Sequence, residues 1–188
     1  MIPGISDFDY KDRLTAEEAA NPQSVIDVGF RYTASLENFD VDRYISCFTD
    51  DPQFLIRDPK DTEFRNYASP KVAGVPGASL AVGVAQVQFT LARIDSIHWV
   101  RSNFQVSIAD DRARMISNYI CTHRLDSHST GPFCILYGTY IEDLVLTDRW
   151  RIALHRNHIR SIQGDLAIVR GGADRYPEDV QTKTEIVR

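Results

Sequence analysis

The sequence predicts an α+β fold in which N-terminal helices pack on one face of a curved, mostly antiparallel sheet. Helical spacing of apolar residues dominates the first half of the chain, whereas four strand-like stretches follow one another in the second half. Strands and helices do not alternate, which argues against a parallel sheet. With 188 residues, of which 43% are hydrophobic, the chain can bury one core. We therefore predict one domain over residues 1–188, with its core at about 22–165 and a C-terminal tail at 166–188.

Three helices are expected before the first strand, at residues 16–20, at 24–38, and from a cap at Asp40 through Tyr44 to Phe48. Thr15 and Glu18 have the spacing of a capping box, which starts the first helix. The second helix has one stripe at helical spacing through Ile26, Phe30, Thr33 and Glu37, and its flanking residues are Val25, Val28, Tyr32 and Leu36. This stripe ends in a carboxylate. Asp40 can cap the third helix, and a strand is expected at 53–57.

The middle of the chain is the least readable part. Residues 58–77 are polar, contain three prolines and have no clear period, which favours a long loop over a site. A helical composition returns at 78–92. Turn signals then separate four strands, which are predicted at 97–108, 113–125, 133–146 and 150–162.

Charge and cysteine content exclude several classes of partner. The net charge is −5 and the basic residues are scattered singly, so we expect no nucleic-acid partner. No apolar run approaches the ~18 residues that span a bilayer, and the N-terminus lacks the pattern of a signal peptide. These features indicate a cytoplasmic protein without a membrane partner. The three cysteines are expected to be reduced packing residues.

His98 is the first candidate for chemistry. Alternation along its strand places it on the same side as Val100, Ser102 and Phe104, which would make this the buried face. A histidine on a buried face is either a hydrogen-bonded structural residue or part of a pocket. In a pocket, the imidazole is a candidate acid or base near neutral pH.

The last strand offers a second inward-pointing group. Alternation from Trp150 places Arg156 and His158 on the buried face and His155 toward solvent. A buried guanidinium needs a carboxylate, a substrate oxygen or a position at the pocket mouth. An ion pair of Arg156 with Glu37 or Glu142 and a role in substrate binding both remain open, whereas His158 is expected at the rim.

Motifs for other kinds of catalysis are missing from the sequence. The glycines near residue 80 do not have the spacing of a phosphate loop, and neither a G-x-S-x-G elbow nor an H-E-x-x-H pair occurs. His123 and His128 match no spacing of metal ligands. We therefore expect no metal site and no cofactor, and any chemistry would depend on acid–base groups alone.

Three segments carry a resemblance to a known family: RYTASLENFDVDRYISCFTDD, SIHWVRSNFQV and GTYIEDLVLTDRWRIALHR. They resemble the SnoaL-like branch of the NTF2-like superfamily over roughly residues 22–165. The resemblance implies a cone-shaped α+β fold. Similar members include bile-acid 7α-dehydratase, hexachlorocyclohexane dehydrochlorinase, scytalone dehydratase, and polyketide cyclases and isomerases. The fold also occurs in binding modules and in small subunits of ring-hydroxylating dioxygenases.

Dehydratases of this branch pair a helix aspartate with a strand histidine and carry an aromatic residue five positions before the aspartate. The counterparts in this chain are Tyr32, Glu37 and His98. Glutamate in place of aspartate is one departure from the family pattern. A second departure is that the Asn usually found four residues after the histidine is Ser102, with Asn103 displaced by one position.

The resemblance and the residues together indicate a cofactor-independent lyase or isomerase, acting as a dehydratase, double-bond isomerase or cyclase. Its substrate would be a hydrophobic polycyclic or polyketide-like small molecule. The candidate catalytic groups are His98 as base, Glu37 as the carboxylate that orients it, Tyr32 as oxygen donor, and Arg156. The candidate substrate-binding residues are Asp40, Tyr119, Tyr140, Phe104 and His158. Asp40 is also an alternative acid partner of His98.

Two other functions remain open, a non-catalytic small-molecule binding module and a structural subunit like that of a ring-hydroxylating dioxygenase. Whichever function applies, we expect a homodimer or homotrimer. Alternation assigns a large aromatic residue and several polar residues to the outer face of the sheet, a mixture suited to an interface. These residues are Trp99, Arg101, Gln105, Arg151 and His155.

Overall fold

Six strands form one sheet in the computed structural model, which describes residues 13–66, Leu80, Val84 and 94–170. The strands are β1 (Phe48–Arg57), β2 (Arg65–Asn66), β3 (Ser96–Ala109), β4 (Arg112–Arg124), β5 (Phe133–Leu146) and β6 (Trp150–Gly164). Their order across the sheet is β2-β1-β6-β5-β4-β3. All neighbours are antiparallel except β1 and β6. The predicted α+β class, with helices on one face of a mostly antiparallel sheet, is confirmed.

The helices are α1 (Ala16–Ala20), α2 (Pro22–Glu37), α3 (Val41–Ser46) and the short α4 (Ala167–Arg170). The capping box of Thr15 and Glu18 is present, and Asp40 caps α3 as predicted. The third helix begins directly after its predicted cap and ends at Ser46, before the predicted end at Phe48. Phe48 already pairs with Ile152 of β6, so the first strand also begins earlier than expected.

Helix α2 packs on one face of the sheet, which we call the inner face, and the opposite face is the outer face. Its buried stripe runs through Val25, Val28, Tyr32 and Leu36. These are the residues that flank the predicted stripe, whereas Phe30 in the middle of that stripe is exposed. Residues spaced by three and four positions share a face, and the larger apolar set decides which face is buried.

A bulge in β3 reverses the predicted alternation of that strand. Its pairing with β4 shifts between Ser102 and Gln105, and Asn103 has a φ of 54°. One extra residue moves every preceding side chain to the opposite face. Arg101 is therefore buried on the inner face, and the side chain of His98 is 73% exposed. The prediction that His98 lies on the buried face is wrong.

A second bulge, in β6, also reverses the predicted alternation of its strand. Asp143 of β5 pairs with Leu154 and Leu144 pairs with Ile152, so Ala153 is an extra residue. Trp150 and Ile152 are buried as predicted, but beyond the bulge His155 is buried and Arg156 is turned outward. The prediction that Arg156 points inward and His155 faces solvent is wrong for this reason.

The predicted helix at 78–92 lies almost wholly outside the described residues. Leu80 and Val84 are helical and pack against the core. Most of the C-terminal tail also lies outside the described residues. The three cysteines are buried free thiols.

No helix among residues 13–66 and 94–170 is long and apolar enough to cross a membrane.

Candidate functional site

Three strands bring one cation, one anion and one histidine together at the centre of the inner face. Arg101 Nη2 of β3 lies 2.7 Å from Glu142 Oε2 of β5, and both side chains are almost completely buried. His155 Nδ1 of β6 lies 3.1 Å from the other carboxylate oxygen, Glu142 Oε1. Arg101 also donates to Ser117 Oγ through Nε at 3.1 Å and Nη2 at 2.5 Å. We call Arg101, Glu142 and His155 the inner cluster.

Electrostatics fixes the charge on Glu142. Burial by itself raises the pKa of this carboxyl, but the Arg101 guanidinium and the hydrogen bond from His155 outweigh burial and lower the pKa to about 2. Glu142 is therefore ionised at neutral pH, and the charge of Arg101 balances it.

The contact with Glu142 fixes the orientation of the His155 ring. A carboxylate can only accept a hydrogen bond, so His155 donates through Nδ1 and directs Nε2 away from Glu142. A neutral imidazole with a fixed tautomer is the form in which histidine acts as a general base.

Aromatic side chains surround this imidazole. The rings of Tyr140, Tyr32 and Phe54 lie 4.7, 5.2 and 6.0 Å from the His155 ring. Burial raises the pKa of both tyrosines well above the usual value, so each keeps its hydroxyl proton and can donate it to an oxygen. The surroundings of His155 are thus apolar with a few hydroxyl donors.

A second histidine–carboxylate pair is formed by His98 and Glu37, with His98 Nδ1 2.9 Å from Glu37 Oε1. The backbone N–H of Trp99 donates to the same oxygen at 2.5 Å. Strand β3 is an edge strand of the described sheet, so Glu37 satisfies a backbone donor that has no neighbouring strand. We call this the edge pair. Its imidazole projects from the outer side of β3 into solvent.

The structure does not bring the other predicted catalytic residues to the edge pair. Tyr32 lies beside His155. Arg156 pairs with Asp143 at 2.9 Å, so its expected partners Glu37 and Glu142 were wrong. Asp40 accepts the Arg43 N–H at the start of α3 and also pairs with the Arg43 side chain. Its carboxylate is therefore engaged in capping α3.

Three of the proposed substrate-binding residues lie on the inner face. Tyr119 stacks on Tyr140 with ring centroids 4.2 Å apart, and Phe104 lies 5.4 Å from the Arg101 guanidinium. Tyr119 also donates to Asn157 Oδ1 at 2.8 Å. His158, in contrast, contacts Arg57 at 2.8 Å.

His158 lies on the outer face, beside Arg57 of β1. Partial desolvation and the charges of Arg57 and Arg160 lower the pKa of His158, which favours the neutral imidazole. This contact separates His158 from the inner cluster.

Sequence reasoning missed His155 and Arg101 and treated Glu142 only as a possible ion-pair partner. A signal for Arg101 was present in the sequence. The Asn that usually follows the histidine by four positions follows His98 by five. A one-residue insertion within a strand produces a bulge, and a bulge reverses the faces before it. No comparable signal marks Ala153.

Two further features concern metal binding and the molecular surface in the described part of the chain. Residues 13–66 and 94–170 contain no group of three or more His, Cys, Asp or Glu side chains arranged to hold a metal ion. An open surface depression of about 440 Å³ is lined by Thr130, Gly131, Pro132, Phe133, Gly164 and Asp165. This depression contains neither histidine pair.

Solved structures with the same fold include proteins of different kinds. The Kfla4162 protein of Kribbella flavida superposes with a TM-score of 0.66 at 17% identity, covering 83% of this chain and 99% of that one. Hexachlorocyclohexane dehydrochlorinase LinA-type3 of Novosphingobium barchaimii gives 0.57 at 10% identity, covering 76% and 88%. A protein of Novosphingobium aromaticivorans named as the β subunit of an aromatic-ring-hydroxylating dioxygenase gives 0.59 at 11% identity, covering 79% and 94%.

At these identities the likeness establishes the fold, which is the NTF2-like α+β cone, and leaves the activity open. No curated protein matches the chain. The model of the SnoaL-like domain matches residues 17–156, which include α2, β3 and the inner cluster. The resemblance inferred from the sequence is thereby confirmed, and the chain belongs to the SnoaL-like domain family.

Proposed function

We propose that this protein is a cofactor-independent lyase or isomerase that acts by acid–base chemistry on a hydrophobic small molecule inside the cone. The observation that carries the proposal is the His155–Glu142 pair, a buried imidazole held at 3.1 Å by an ionised carboxylate on the inner face. This arrangement provides a base of fixed tautomer in an apolar environment. The base expected from sequence was His98. We propose His155 instead, because His155 is buried on the inner face whereas His98 is exposed.

The proposed reaction removes a proton next to a carbonyl group. His155 Nε2 takes the proton, and the electrons of the C–H bond move to the carbonyl oxygen as an enolate. The hydroxyl of Tyr32 or Tyr140 donates to that oxygen. When the enolate collapses, a β-hydroxyl leaves and takes the proton from the imidazolium as water. Return of the proton to another carbon would give isomerisation instead.

The lining of the cone supports a hydrophobic substrate. Tyr32, Phe54, Phe104, Tyr119 and Tyr140 all lie on the inner face, where flat rings favour contact with a cyclic or polyketide-like molecule. An elimination is also the reaction named for the dehydrochlorinase that shares this fold. Dehydration is therefore the first reaction to test, followed by double-bond migration and cyclisation.

The edge pair is the second candidate for the base. His98 and Glu37 lie within hydrogen-bond distance, as the family resemblance implies. The carboxylate is however shared with the Trp99 N–H, and the imidazole is mostly exposed, so water competes for its proton. We propose that Glu37 acts mainly to fasten the end of α2 to the edge of β3.

We also propose that the chain forms a homo-oligomer through the outer face. Trp99, Arg101 and His155, which were assigned to that face from sequence, lie on the inner face. The outer face instead exposes Val100 and Ile120, which lie opposite each other on β3 and β4.

The size of the outer face suits an interface. Strands of about 13 residues, four abreast, present roughly 800 Å², which matches one side of a standard protein interface. Assembly as a subunit of a larger complex is the competing function. It is suggested by the structural neighbour named as a dioxygenase β subunit.

The enzyme proposal can be tested with a model substrate. Dehydration of 3-hydroxy-1-tetralone gives 1-naphthol, which is detected by its absorbance, and chloride release from hexachlorocyclohexane provides a second assay. We expect His155→Gln to lower kcat by a factor of about 10² or more at unchanged fold. His128→Gln is a matched control, because His128 pairs with Asp165 in the loop region away from the inner cluster.

The variant His98→Ala decides between the two pairs. Loss of turnover in His155→Gln together with near wild-type turnover in His98→Ala would support the inner cluster. The reverse result would move the base to the edge pair. If wild-type protein shows neither turnover nor solvent-deuterium incorporation into either compound or into an unfunctionalised tetralone, the binding or subunit function becomes the better account.

A further inference from the structure

We infer that Arg101 is a positioning residue that sets the protonation state of His155, because its guanidinium neutralises Glu142 and so keeps the imidazole in the neutral form. This inference rests on the proposed function for its catalytic meaning, whereas the charge relationship itself stands on the geometry of the inner cluster.

Glu142 has two partners, one on each of its carboxylate oxygens. Arg101 Nη2 contacts Oε2 at 2.7 Å, and His155 Nδ1 contacts Oε1 at 3.1 Å. The carboxylate therefore lies between the guanidinium and the imidazole. A single negative charge can neutralise only one cation, and arginine is always charged. The imidazole is consequently the partner that remains uncharged.

Arg101 is held in one position by contacts with its neighbours. Its Nε and Nη2 both donate to Ser117 Oγ, and its guanidinium lies 5.1 Å from the ring centre of Tyr140 and 5.4 Å from that of Phe104. These contacts come from three strands. A guanidinium between two aromatic faces is stabilised by cation–π attraction, which is stronger where water is excluded.

Helix α2 is built to accept the guanidinium. A Cβ atom added to Gly29 would lie 2.6 Å from Arg101 Nη1 and 3.1 Å from Met115 Cε. Only a residue without a side chain allows this close approach of helix and arginine. Arg101 Nη1 itself makes no hydrogen bond within the described chain. The helix therefore packs directly against the guanidinium at Gly29. Arg101 Nη2 keeps its contact with Glu142.

Other titratable groups among the described residues also lie beside the cluster or act on it. Tyr32 of α2 and Tyr140 of β5 face His155, and burial keeps both protonated. Cys47, before β1, interacts electrostatically with Glu142, and burial raises the pKa of its thiol to about 12, so it is uncharged. Phe54 of β1 carries no charge. Among these groups, Arg101 and Glu142 are the ones that carry a charge.

Two substitutions of opposite effect follow from this arrangement. In Arg101→Met the buried carboxylate is unbalanced and attracts a proton to the imidazole, so His155 should titrate at a higher pH. In Glu142→Gln the guanidinium is unbalanced and repels that proton, so His155 should titrate at a lower pH. Arg101→Lys keeps the positive charge and should stay near the wild type. A purely structural role for Arg101 would not produce opposite shifts.

The experiment is the titration of His155 in the full-length chain by NMR of ¹⁵N-labelled histidine, with the resonance assigned through His155→Gln. We expect an upward shift of at least one pH unit, a tenfold change in proton affinity, in Arg101→Met and a downward shift in Glu142→Gln. The acidic limb of the pH–rate profile should move with the titration. Shifts in the same direction, or no shift in either variant, would overturn the inference.

Folding failure and failure of the proposed function give different results. If Arg101→Met does not fold by circular dichroism, Glu142→Gln and Arg101→Lys still decide the direction of the shift. If the titrations move as expected while His155→Gln remains fully active, the charge relationship stands and the proposed base is wrong. If His155→Gln is inactive but the titrations do not move, the proposed function stands and the inference fails.

Discussion

Tyr32 and His155 face each other inside the cone, with ring centres 5.2 Å apart. This contact joins the long helix α2 to the last long strand β6. It also places a hydroxyl donor beside the proposed base in surroundings from which water is excluded. The aromatic residue that the family resemblance assigns to the helix therefore lies next to a histidine other than His98.

The variant Tyr32→Phe tests this contact. It removes the hydroxyl and keeps the ring, so packing against Tyr44 and Phe48 is preserved. We expect kcat to fall by a factor of about 10 to 10², with little change in KM or in the midpoint of thermal unfolding, because one oxygen donor is lost. Turnover equal to that of the wild type would show that Tyr140 is the donor, and Tyr140→Phe is the matched comparison.

How far the sequence reveals this fold depends on the element. Thr15, Glu18 and Asp40 predicted helix starts because their side chains satisfy nearby backbone N–H groups, which is local chemistry. The four long strands were located correctly because turn residues separate them. The buried faces of β3 and β6 were not predicted correctly, since alternation holds only while the pairing register is unbroken.

The candidate site shows the consequence of a broken register. His98 and Arg101 exchange faces because of one extra residue at the bulge near Asn103, and His155 and Arg156 exchange faces because of one at Ala153. The displaced Asn103 signalled the first bulge. The second depends on how β5 and β6 pair across the sheet, which is not a local property of the sequence.

Stability should fall as the pH is lowered, in two steps. Burial lowers the pKa of His123 to about 4, below the value near 6.5 of an unfolded histidine, so the unfolded chain binds the proton first. The stability associated with His123 is therefore present above about pH 6.5 and lost as the pH falls to about 4. For a shift of this size the loss is about 3 kcal/mol.

Glu142 contributes the second step. Its pKa of about 2 lies below that of an unfolded carboxyl, so its contribution is present above roughly pH 4.3 and is lost as the pH falls toward 2. Urea unfolding measured from pH 7 to pH 2 checks both steps. His123→Gln should flatten the curve between pH 6.5 and 4. A slope in that range that persists in the variant would assign the loss to other groups.

Gly29→Ala should be destabilising in a way that depends on Arg101. Alanine favours a helix over glycine by roughly 1 kcal/mol, but overpacking of a buried contact costs about 1–3 kcal/mol. With a Cβ only 2.6 Å from Arg101 Nη1, the second effect should dominate. Unfolding in denaturant should show a net loss of about 1 kcal/mol.

The control for this prediction is the same substitution made in Arg101→Met. Because the flexible methionine lacks a fixed guanidinium, Gly29→Ala should become neutral or stabilising there, and the coupling between the two sites measures their contact. Equal effects of Gly29→Ala in both backgrounds would contradict the close approach.

The outer face gives the last prediction. Val100 and Ile120 lie opposite each other on neighbouring strands and are exposed, which is costly for two apolar side chains unless another surface covers them. If a second copy of the chain covers them, Ile120→Asp places an unpaired charge in the interface and should yield monomers. The mass by light scattering at micromolar concentration should fall to that of one chain, 21.3 kDa.

Ile45→Asp is the matched control, because Ile45 is exposed on α3 instead of on the sheet. A wild-type protein that is already monomeric, or an Ile120→Asp variant with the wild-type mass, would rule out this face as the interface.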